Sequence, residues 1–369
     1  MLKRGCAMHK VRVAVAMSGG VDSSLSAALL KEAGYEVVGI SMQLWCEERH
    51  GRSSAHPTCC SIQDMNDARR VCQTLDIPFY TINLEPQFQA CVVDYFCHEY
   101  AQGRTPNPCI ACNQRIKFDF LLHHVLSLGV DYLATGHFAR IERSGDGHRL
   151  LKAADPISDQ SYFLYTLGQW ELQHLLFPVN GYLKTEVRRM AAERGLPTAD
   201  KPKSQDLCFV SNGSYHSLIK QRLSPVPGEI VDEEGKVLGR HRGIAFYTVG
   251  QRTGLGLALG SRLYVLAIDV NNNTLVVGPE DKLLASRLAA TQVRFVRGNP
   301  EQPVAVKAKI RYKSPETYAM LYPCEDKVEV RFDTPQRAVT PGQAVVFYQE
   351  NQVLGGGIIE TGVASTDFC

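Results

Sequence analysis

Two groups of residues in this chain have the types and spacing to carry chemistry. The first is Ser18-Gly19-Gly20-Val21-Asp22-Ser23-Ser24, which follows the apolar run Val11 to Met17 and opens a stretch of helical pattern. A strand, a glycine turn and a helix start together offer unpaired backbone N–H groups and the positive end of a helix dipole, an arrangement suited to a phosphate. Gly19 and Gly20 let the backbone approach an anion, and Ser18 and Ser23 add hydroxyl donors. Asp22 would repel a bare phosphate, so it is expected to cap the helix or to hold a Mg2+ ion. The Walker lysine is absent, which excludes a γ-phosphate-transferring P-loop. The alternative without function is a tight strand-to-helix turn with Ser or Asp at the N-cap.

The second group is made of cysteines. Arg104-Thr105-Pro106-Asn107-Pro108-Cys109-Ile110-Ala111-Cys112-Asn113 places one Cys-x-x-Cys after two stiffening prolines and before a helix, and Cys208 follows far downstream in Ser204-Gln205-Asp206-Leu207-Cys208-Phe209. A structural zinc site wants four ligands, usually as two such pairs, and here a single cysteine answers the pair. Redox chemistry fits better: it needs an accessible thiolate and a partner thiol, and a helix N-terminus beside Arg115 and Lys117 would lower the pKa of Cys112. Cys6, Cys46, Cys72, Cys91, Cys97, Cys324 and Cys369 read as small buried or incidental residues. The adjacent Cys59-Cys60 reads either as a sulfur relay or as burial or chance.

Around these residues, the chain from Val11 to about Gly136 alternates short β-rich runs with helical stretches: Val11 to Met17, Ser23 to Lys31, Glu36 to Met42, Asp64 to Leu75, Phe79 to Asn83. Such a series predicts a parallel sheet flanked by helices, an open α/β fold, with Tyr132 to Thr135 as a further strand. Gly34 is placed to end the first helix as a C′ residue. Lys201-Pro202-Lys203-Ser204 reads as a loop. Beyond Pro225, short strands with turn residues between them predict a small barrel or sandwich: Tyr264 to Val270, Leu275 to Gly278, Val304 to Tyr312, Val328 to Phe332, Val345 to Tyr348 and Val353 to Ile359. In Val306 to Lys313 the cations alternate, so Lys307, Lys309, Arg311 and Lys313 are expected on one face of a strand and Val306, Ala308, Ile310 and Tyr312 on the other. Arg240, His241, Arg242 and Arg252 read equally well as a phosphate-binding surface or a solvated face.

Composition narrows the class. With 369 residues, 44% of them hydrophobic and 21% charged, the chain can bury a sizeable core and is long enough for two or three domains. No signal-peptide pattern and no bilayer-length apolar run is present, so a cytoplasmic protein without membrane contact is expected, and its twelve cysteines are expected to be reduced, catalytic or metal-binding thiols. The net charge of +2 neither supports nor excludes a nucleic-acid partner, which would have to be held by a local basic face.

Ser18 to Ser23 resembles the pyrophosphatase loop of the N-type ATP-pyrophosphatases. The wider set of motifs is similar to the bacterial tRNA-specific 2-thiouridylase family: Arg104 to Pro108 with Cys112-Asn113, Ala134-Thr135-Gly136-His137, Asp159-Gln160-Ser161-Tyr162-Phe163-Leu164, Cys208-Phe209, Tyr247-Thr248-Val249-Gly250-Gln251-Arg252 with Gly254-Leu255-Gly256, Arg311-Tyr312, and Thr340-Pro341-Gly342-Gln343. The resemblance implies an α/β parallel-sheet ATP-pyrophosphatase domain over residues 1–205, a central domain over 206–285 and a C-terminal β-barrel over 286–369. It implies that ATP, with Mg2+, adenylates the C2 oxygen of the wobble uridine in tRNAs of the Glu, Gln and Lys acceptor sets, and that sulfur from a donor protein or persulfide relay then displaces AMP.

On the same basis Ala16, Met17, Ser18, Gly19, Gly20, Val21, Asp22, Ser23, Met42 and Gly136 would contact ATP. Cys112 would be the nucleophile and Cys208 the persulfide carrier. Asn107, Pro108 and Cys109 would lie against the target base, and His137, Ser158, Asp159, Gln160, Arg311, Tyr312 and Gln343 would touch the tRNA. One position departs from the family pattern: Cys109 stands where its best-known members have aspartate. Cys109, Cys112 and Cys208 would then be three thiolates able to hold a 4Fe-4S cluster, as in related tRNA thiolases. Two further readings stand beside this one: another ATP-pyrophosphatase ligase, which would need no distant cysteine pair, and a non-catalytic RNA-binding protein of the same fold.

Overall fold

The computed structural model describes residues 10–45, 62–202, 207–210, 215–257 and 261–361. Cys6, Cys46, Cys59, Cys60, Cys369 and the Lys203-Ser204 half of the expected loop lie outside them. The chain divides into two compact units, one formed by its residues up to 88 with 115–161 and 169–209, the other by 89–114, 162–168 and the residues from 210 on.

In the first unit a five-stranded sheet contains β1 (Arg12–Ala16), β2 (Glu36–Gln43), β3 (Phe79–Asn83), β4 (Tyr132–Ala134) and β7 (Leu175–Leu176), in the order β3-β2-β1-β4-β7, with every neighbouring pair parallel. Val13, Ala14 and Val15 are fully buried, as expected of a parallel strand covered on both faces. The expected strands and helices of this region appear within one or two residues, as α1 (Val21–Glu32) and α2 (Ile62–Thr74). Gly34 follows α1 with φ +88°, as a C′ glycine does. Three serines on α1 are buried; Ser24 and Ser26 satisfy their hydroxyls on the carbonyls of Gly20 and Asp22, both at 2.8 Å, which lets a nearly all-buried helix carry polar groups. A hairpin of β5 (Ala139–Ser144) and β6 (Gly147–Lys152) was not foreseen. Helices α7 (Gln169–Gln173) and α8 (Lys184–Glu193) also belong to this unit.

Helix α3 (Glu85–Phe88) ends the first segment of the first unit, and the second unit begins with a π-helical stretch, Gln89–Asp94, that leads into α4 (Tyr95–Ala101). Next come α5 (Pro108–Ala111) and a second π-helical stretch, Cys112–Leu121, which continues into α6 (Leu122–Ser127) of the first unit. After α9 (His216–Arg222), a four-stranded sheet is built from β8 (Gly228–Val231), β9 (Val237–His241), β10 (Tyr264–Asp269) and β11 (Thr274–Gly278) in the order β10-β11-β8-β9.

The remaining strands are β12 (Leu284–Phe295), β13 (Val304–Lys309), β14 (Thr317–Pro323), β15 (Val328–Arg337), β16 (Ala344–Gln349) and β17 (Gln352–Thr361). They follow the order β12-β15-β14-β13-β16-β17, and β12 pairs with β17, so the sheet closes on itself as a barrel. Its interior is apolar, with Leu321, Val330, Val345, Phe347 and Ile359 fully buried. Of the expected barrel or sandwich the barrel is correct, while β12 and β14 had not been foreseen. The strand expected to run to Tyr312 stops at Lys309: Ser314 turns the chain by donating its N–H to the Arg311 carbonyl and accepting the Arg311 N–H. Val306, Ala308 and Ile310 are buried and Lys307 and Lys309 are not, but Arg311 and Lys313 lie beyond the strand.

Candidate functional site

In the first unit the sheet order reverses direction between β1 and β4, the position at which open α/β sheets bind ligands beyond the carboxyl ends of their strands. The Ser18–Ser23 loop leaves the end of β1 at this point. Gly19 has φ +68°, and a Cβ there would stand 2.3 Å from the Asp64 carbonyl oxygen, so the turn admits glycine alone. Gly20 is the N-cap of α1 and no side chain caps the helix. The expectation that Asp22 or a serine caps it is therefore corrected: Ser23 Oγ donates to the Gly20 carbonyl at 3.1 Å and stands 3.3 Å from Ser18 Oγ, while Asp22 is engaged elsewhere. Gly136, at the end of β4, packs on the same helix start, where a Cβ would meet Ser23 N at 2.6 Å. Met17 N–H donates to Ile40 O at 2.7 Å and Met42 lies at the end of β2 opposite Ile82. Ala16, Met17 and Val21 are buried, so they shape the loop from below.

Sequence reasoning missed the cation of this site. Lys184, the first residue of α8, places Nζ on both carboxylate oxygens of Asp22, 2.6 Å from Oδ2, and 5.4 Å from the centre of the Phe138 ring. A lysine at a helix N-terminus opposes the helix dipole, and that misplacement was the available signal. Asp155 offsets it by accepting the Lys184 N–H at 3.0 Å. Burial of Asp155 works against its charge, yet the N–H of Lys184, the Ser158 hydroxyl and the amides of Ile157 and Ser158 hold its carboxyl below the ordinary range. A second lysine, Lys201, bridges Asp64 and Asp67 at 2.6 and 2.7 Å, fixing the start of α2 against Gly19.

The residues expected at the tRNA in this unit have internal partners. Gln160 pairs with the backbone of Phe138 in both directions, at 2.8 and 3.0 Å. Asp159 accepts from Ala153 N and from the Ser161 hydroxyl, and the buried Ser158 donates its N–H to Asp155. His137 lies between the rings of Phe118 and Phe177, at 5.8 and 5.9 Å, with Nδ1 2.7 Å from Thr135 Oγ1. Burial, and secondarily the charge of Lys117, holds its imidazole well below the ordinary range, so it is neutral at pH 7. Cys208, half-buried, belongs to this unit and is anchored by Phe209, whose ring packs edge-on against Trp45 and Phe88 at 6.5 and 5.8 Å.

In the second unit the helix bearing Cys112 starts earlier than its expected role requires. Asn107 is the N-cap, its Oδ1 accepting from Cys109 N at 3.2 Å and Ile110 N at 3.4 Å, with Pro108 next. Cys109 rather than Cys112 therefore occupies the first turn, and it is exposed. Cys112 is 8% exposed and begins the π-helical stretch, a rare geometry that recurs at functional sites. The buried Asn113 donates to the Phe163 carbonyl at 3.1 Å, and the Phe163 ring lies 4.4 Å from Tyr312. Arg311 donates to the Ala338 carbonyl and to Thr340 Oγ1, and Gln343 Nε2 donates to Thr105 O at 2.8 Å. Lys307 and Lys309 lie against the rings of Tyr318 and Tyr312, a cation-and-aromatic surface of the kind that holds nucleic acid.

His241 is buried beside the Asn273 carbonyl and is structural. Burial pushes the thiols of Cys72 and Cys97 up, Cys72 to about 11, in keeping with inert packing residues. Cys324, expected to be a small buried or incidental residue, is half-buried and disulfide-bonded. Among the described residues, no three His, Cys, Asp or Glu side chains stand together as a metal-binding group, and no helix is long and apolar enough to cross a membrane.

Comparison with known proteins gives a consistent picture. Residues 11–212 match the family described as the tRNA methyl transferase HUP domain, 216–279 its PRC-barrel domain, and 285–359 the aminomethyltransferase beta-barrel domain. The chain is 48% identical over 359 residues to the tRNA-specific 2-thiouridylase MnmA of Acetivibrio thermocellus, covering 96% of this chain and 100% of that protein. It is 50% identical over 358 residues to that of Geotalea uraniireducens, at 95% and 96% coverage, and 49% identical over 357 residues to that of Geobacter metallireducens, at 95% and 96%. Among solved structures, a predicted subunit of tRNA methyltransferase from Methanocaldococcus jannaschii is 20% identical, with 50% of this chain and 76% of that one covered at a TM-score of 0.31.

Proposed function

Because the chain belongs to the tRNA-specific 2-thiouridylase family, we propose that it adenylates the C2 oxygen of a wobble uridine with ATP and replaces that oxygen with sulfur handled by Cys112 and Cys208. The observation that carries the nucleotide half is the uncapped start of α1, glycine-turned at the sheet's switch point with Gly136 against it. Its free amides would hold the departing pyrophosphate, and Lys184 supplies the positive charge that a Walker lysine supplies elsewhere. Asp22 is the carboxylate of the loop, a donor suited to Mg2+, which would neutralise phosphate charge when bound.

The chemistry needs both halves. A C2 oxygen leaves poorly, but as an adenylate it departs as AMP. The terminal sulfur of a Cys208 persulfide, supplied by a donor protein, attacks C2 and forms a C2–S–S–Cys208 link. The Cys112 thiolate then attacks the Cys208 sulfur, breaking that S–S bond, leaving the thiocarbonyl on the base and joining the cysteines as a disulfide, which an external dithiol reduces. Cys109, exposed one turn ahead of Cys112, would lie beside the base. The persulfide route needs no 4Fe-4S cluster, and Cys109, Cys112 and Cys208 are the thiolates that would hold one.

The test is mass spectrometry of nucleosides from tRNAs of the Glu, Gln and Lys sets after incubation with ATP and a sulfide source, with AMP counted in parallel. Wobble 2-thiouridine with one AMP per sulfur is expected, and Cys112→Ser or Cys208→Ser should lower it by about a thousandfold or more, as loss of a nucleophile does. No 2-thiouridine from protein purified with or without air would overturn the assignment. Iron bound in proportion to activity would favour the cluster over the persulfide.

A further inference from the structure

Two sequence motifs that the chemistry above does not use, Tyr247 to Arg252 and Thr340 to Gln343, converge on one residue, Thr105. Its N–H donates to the Pro341 carbonyl at 2.8 Å, its carbonyl accepts from Gln343 Nε2 at 2.8 Å, and its hydroxyl donates to Thr248 Oγ1 at 3.1 Å. Every polar group of Thr105 is thus held by residues 143 to 238 positions away. The two partners on the barrel side belong to one reverse turn, Thr340-Pro341-Gly342-Gln343, closed by Gln343 N–H donating to the Thr340 carbonyl at 3.2 Å. Pro341 precedes Gly342, whose φ is +87°; in such a turn the carbonyl between them points outward, and it is the one that Thr105 takes. A Cβ on Gly342 would stand 2.7 Å from Thr105 N, so the two backbones fit without room for a side chain. Arg311 braces the far side of the turn through Thr340 Oγ1 at 2.6 Å and the Ala338 carbonyl.

What Thr105 carries is the nucleophile segment. Pro106 and Pro108 fix φ on either side of Asn107, and Asn107 caps the helix in which Cys109 and Cys112 sit. Few torsions are free between the barrel turn and Cys112, so a shift of the turn is passed along the chain to its sulfur. We infer that the Thr340–Gln343 turn is a latch through which the barrel sets the position of Cys112, with Gln343, Thr105 and Arg311 as positioning residues. The inference rests on the reading of Cys112 as the nucleophile. It makes one device of two tasks: a tRNA that touches Arg311, Tyr312 or Gln343 acts on the turn that aims the attacking sulfur.

Gln343→Ala separates this role from a plain tRNA contact. The first measurement is the rate of Cys112 alkylation by iodoacetamide against pH, followed by peptide mass spectrometry in protein without tRNA or ATP, with Cys112→Ser identifying the peptide. The second is kcat and KM for tRNA in thiolation. A latch predicts an alkylation rate altered by about fivefold to tenfold, the size of effect that one lost hydrogen bond produces, and a fall in kcat with KM within about threefold. A raised KM with unchanged kcat and alkylation would overturn the inference, and so would no change in any of them. Thr105→Val, which removes the hydroxyl contact to Thr248 and keeps both backbone hydrogen bonds of residue 105, should shift alkylation in the same direction and serves if Gln343→Ala folds poorly. A wild-type protein that forms no 2-thiouridine would instead defeat the proposed function, while the alkylation result would still judge the latch.

Discussion

Lys184 and Asp22 meet across 162 positions of sequence, and their side chains are 20% and 31% exposed. For a pair only partly open to water the Coulomb gain is largely offset by desolvation, so its net contribution to stability is small, and its proposed value lies in what Lys184 does when phosphate arrives. Lys184→Met should leave thermal unfolding nearly unchanged and lower ATP consumption by about tenfold or more, as removal of a charge-assisted contact does; Lys184→Arg should recover most of the loss. A steady-state pyrophosphate release assay measures both, and equal activity in all three proteins would remove Lys184 from the site. The glycines and serines of the phosphate loop were legible in the sequence because they are contiguous. Lys184 was not, because it reaches the loop only through the fold. The same holds for Asn107, legible as a loop residue but not as the cap that moves the helix start from Cys112 to Pro108, and for Gln343, whose amide is given to Thr105.

At the scale of elements, the loop between β1 and α1 depends on a left-handed residue. Gly19→Ala would strain the backbone at φ +68° and drive a methyl against Asp64 O, so a loss of about 2 kcal/mol or more in urea unfolding is expected, with ATP-dependent activity reduced further than stability. Unchanged midpoints would show that α2 yields to the methyl. Strands β1 to β4 were readable because strands buried on both faces are plain apolar runs. In the barrel, β12 reads Leu-Ala-Ser-Arg-Leu-Ala-Ala-Thr-Gln-Val-Arg-Phe with burial that changes phase at its centre, so no single period marks it, and register shifts in its pairing with β15 and β17 account for the change. β13 ends before its alternation of cations does because the Arg311–Ser314 turn outcompetes further pairing.

For the molecule as a whole, three imidazoles set an acid limit. Burial, as the leading cause, holds His137, His216 and His241 below their unfolded value of 6.5. The unfolded chain therefore binds more protons than the folded one in mildly acidic solution. Their contribution is present in full above about pH 6.5 and is lost as pH falls from there through the folded values. Melting temperatures should be flat from pH 7 to 8 and should drop below pH 6, and His137→Gln should weaken that drop; an unaltered slope would exclude His137. The net charge of +2 adds little to this dependence. The chain crosses between its two units at 88/89, 114/115, 161/162, 168/169 and 209/210, and the segment carrying Cys112 is latched by residues still 238 positions away in sequence. During synthesis at about 5–20 residues per second, Thr105 therefore waits on the order of ten to fifty seconds for its clamp to be made. A ribosome-bound fragment that already holds the phosphate loop, Cys112 and Cys208 still lacks the turn that holds Thr105, so if that turn positions Cys112 as proposed, competence for sulfur transfer is expected only once the final strands have been made.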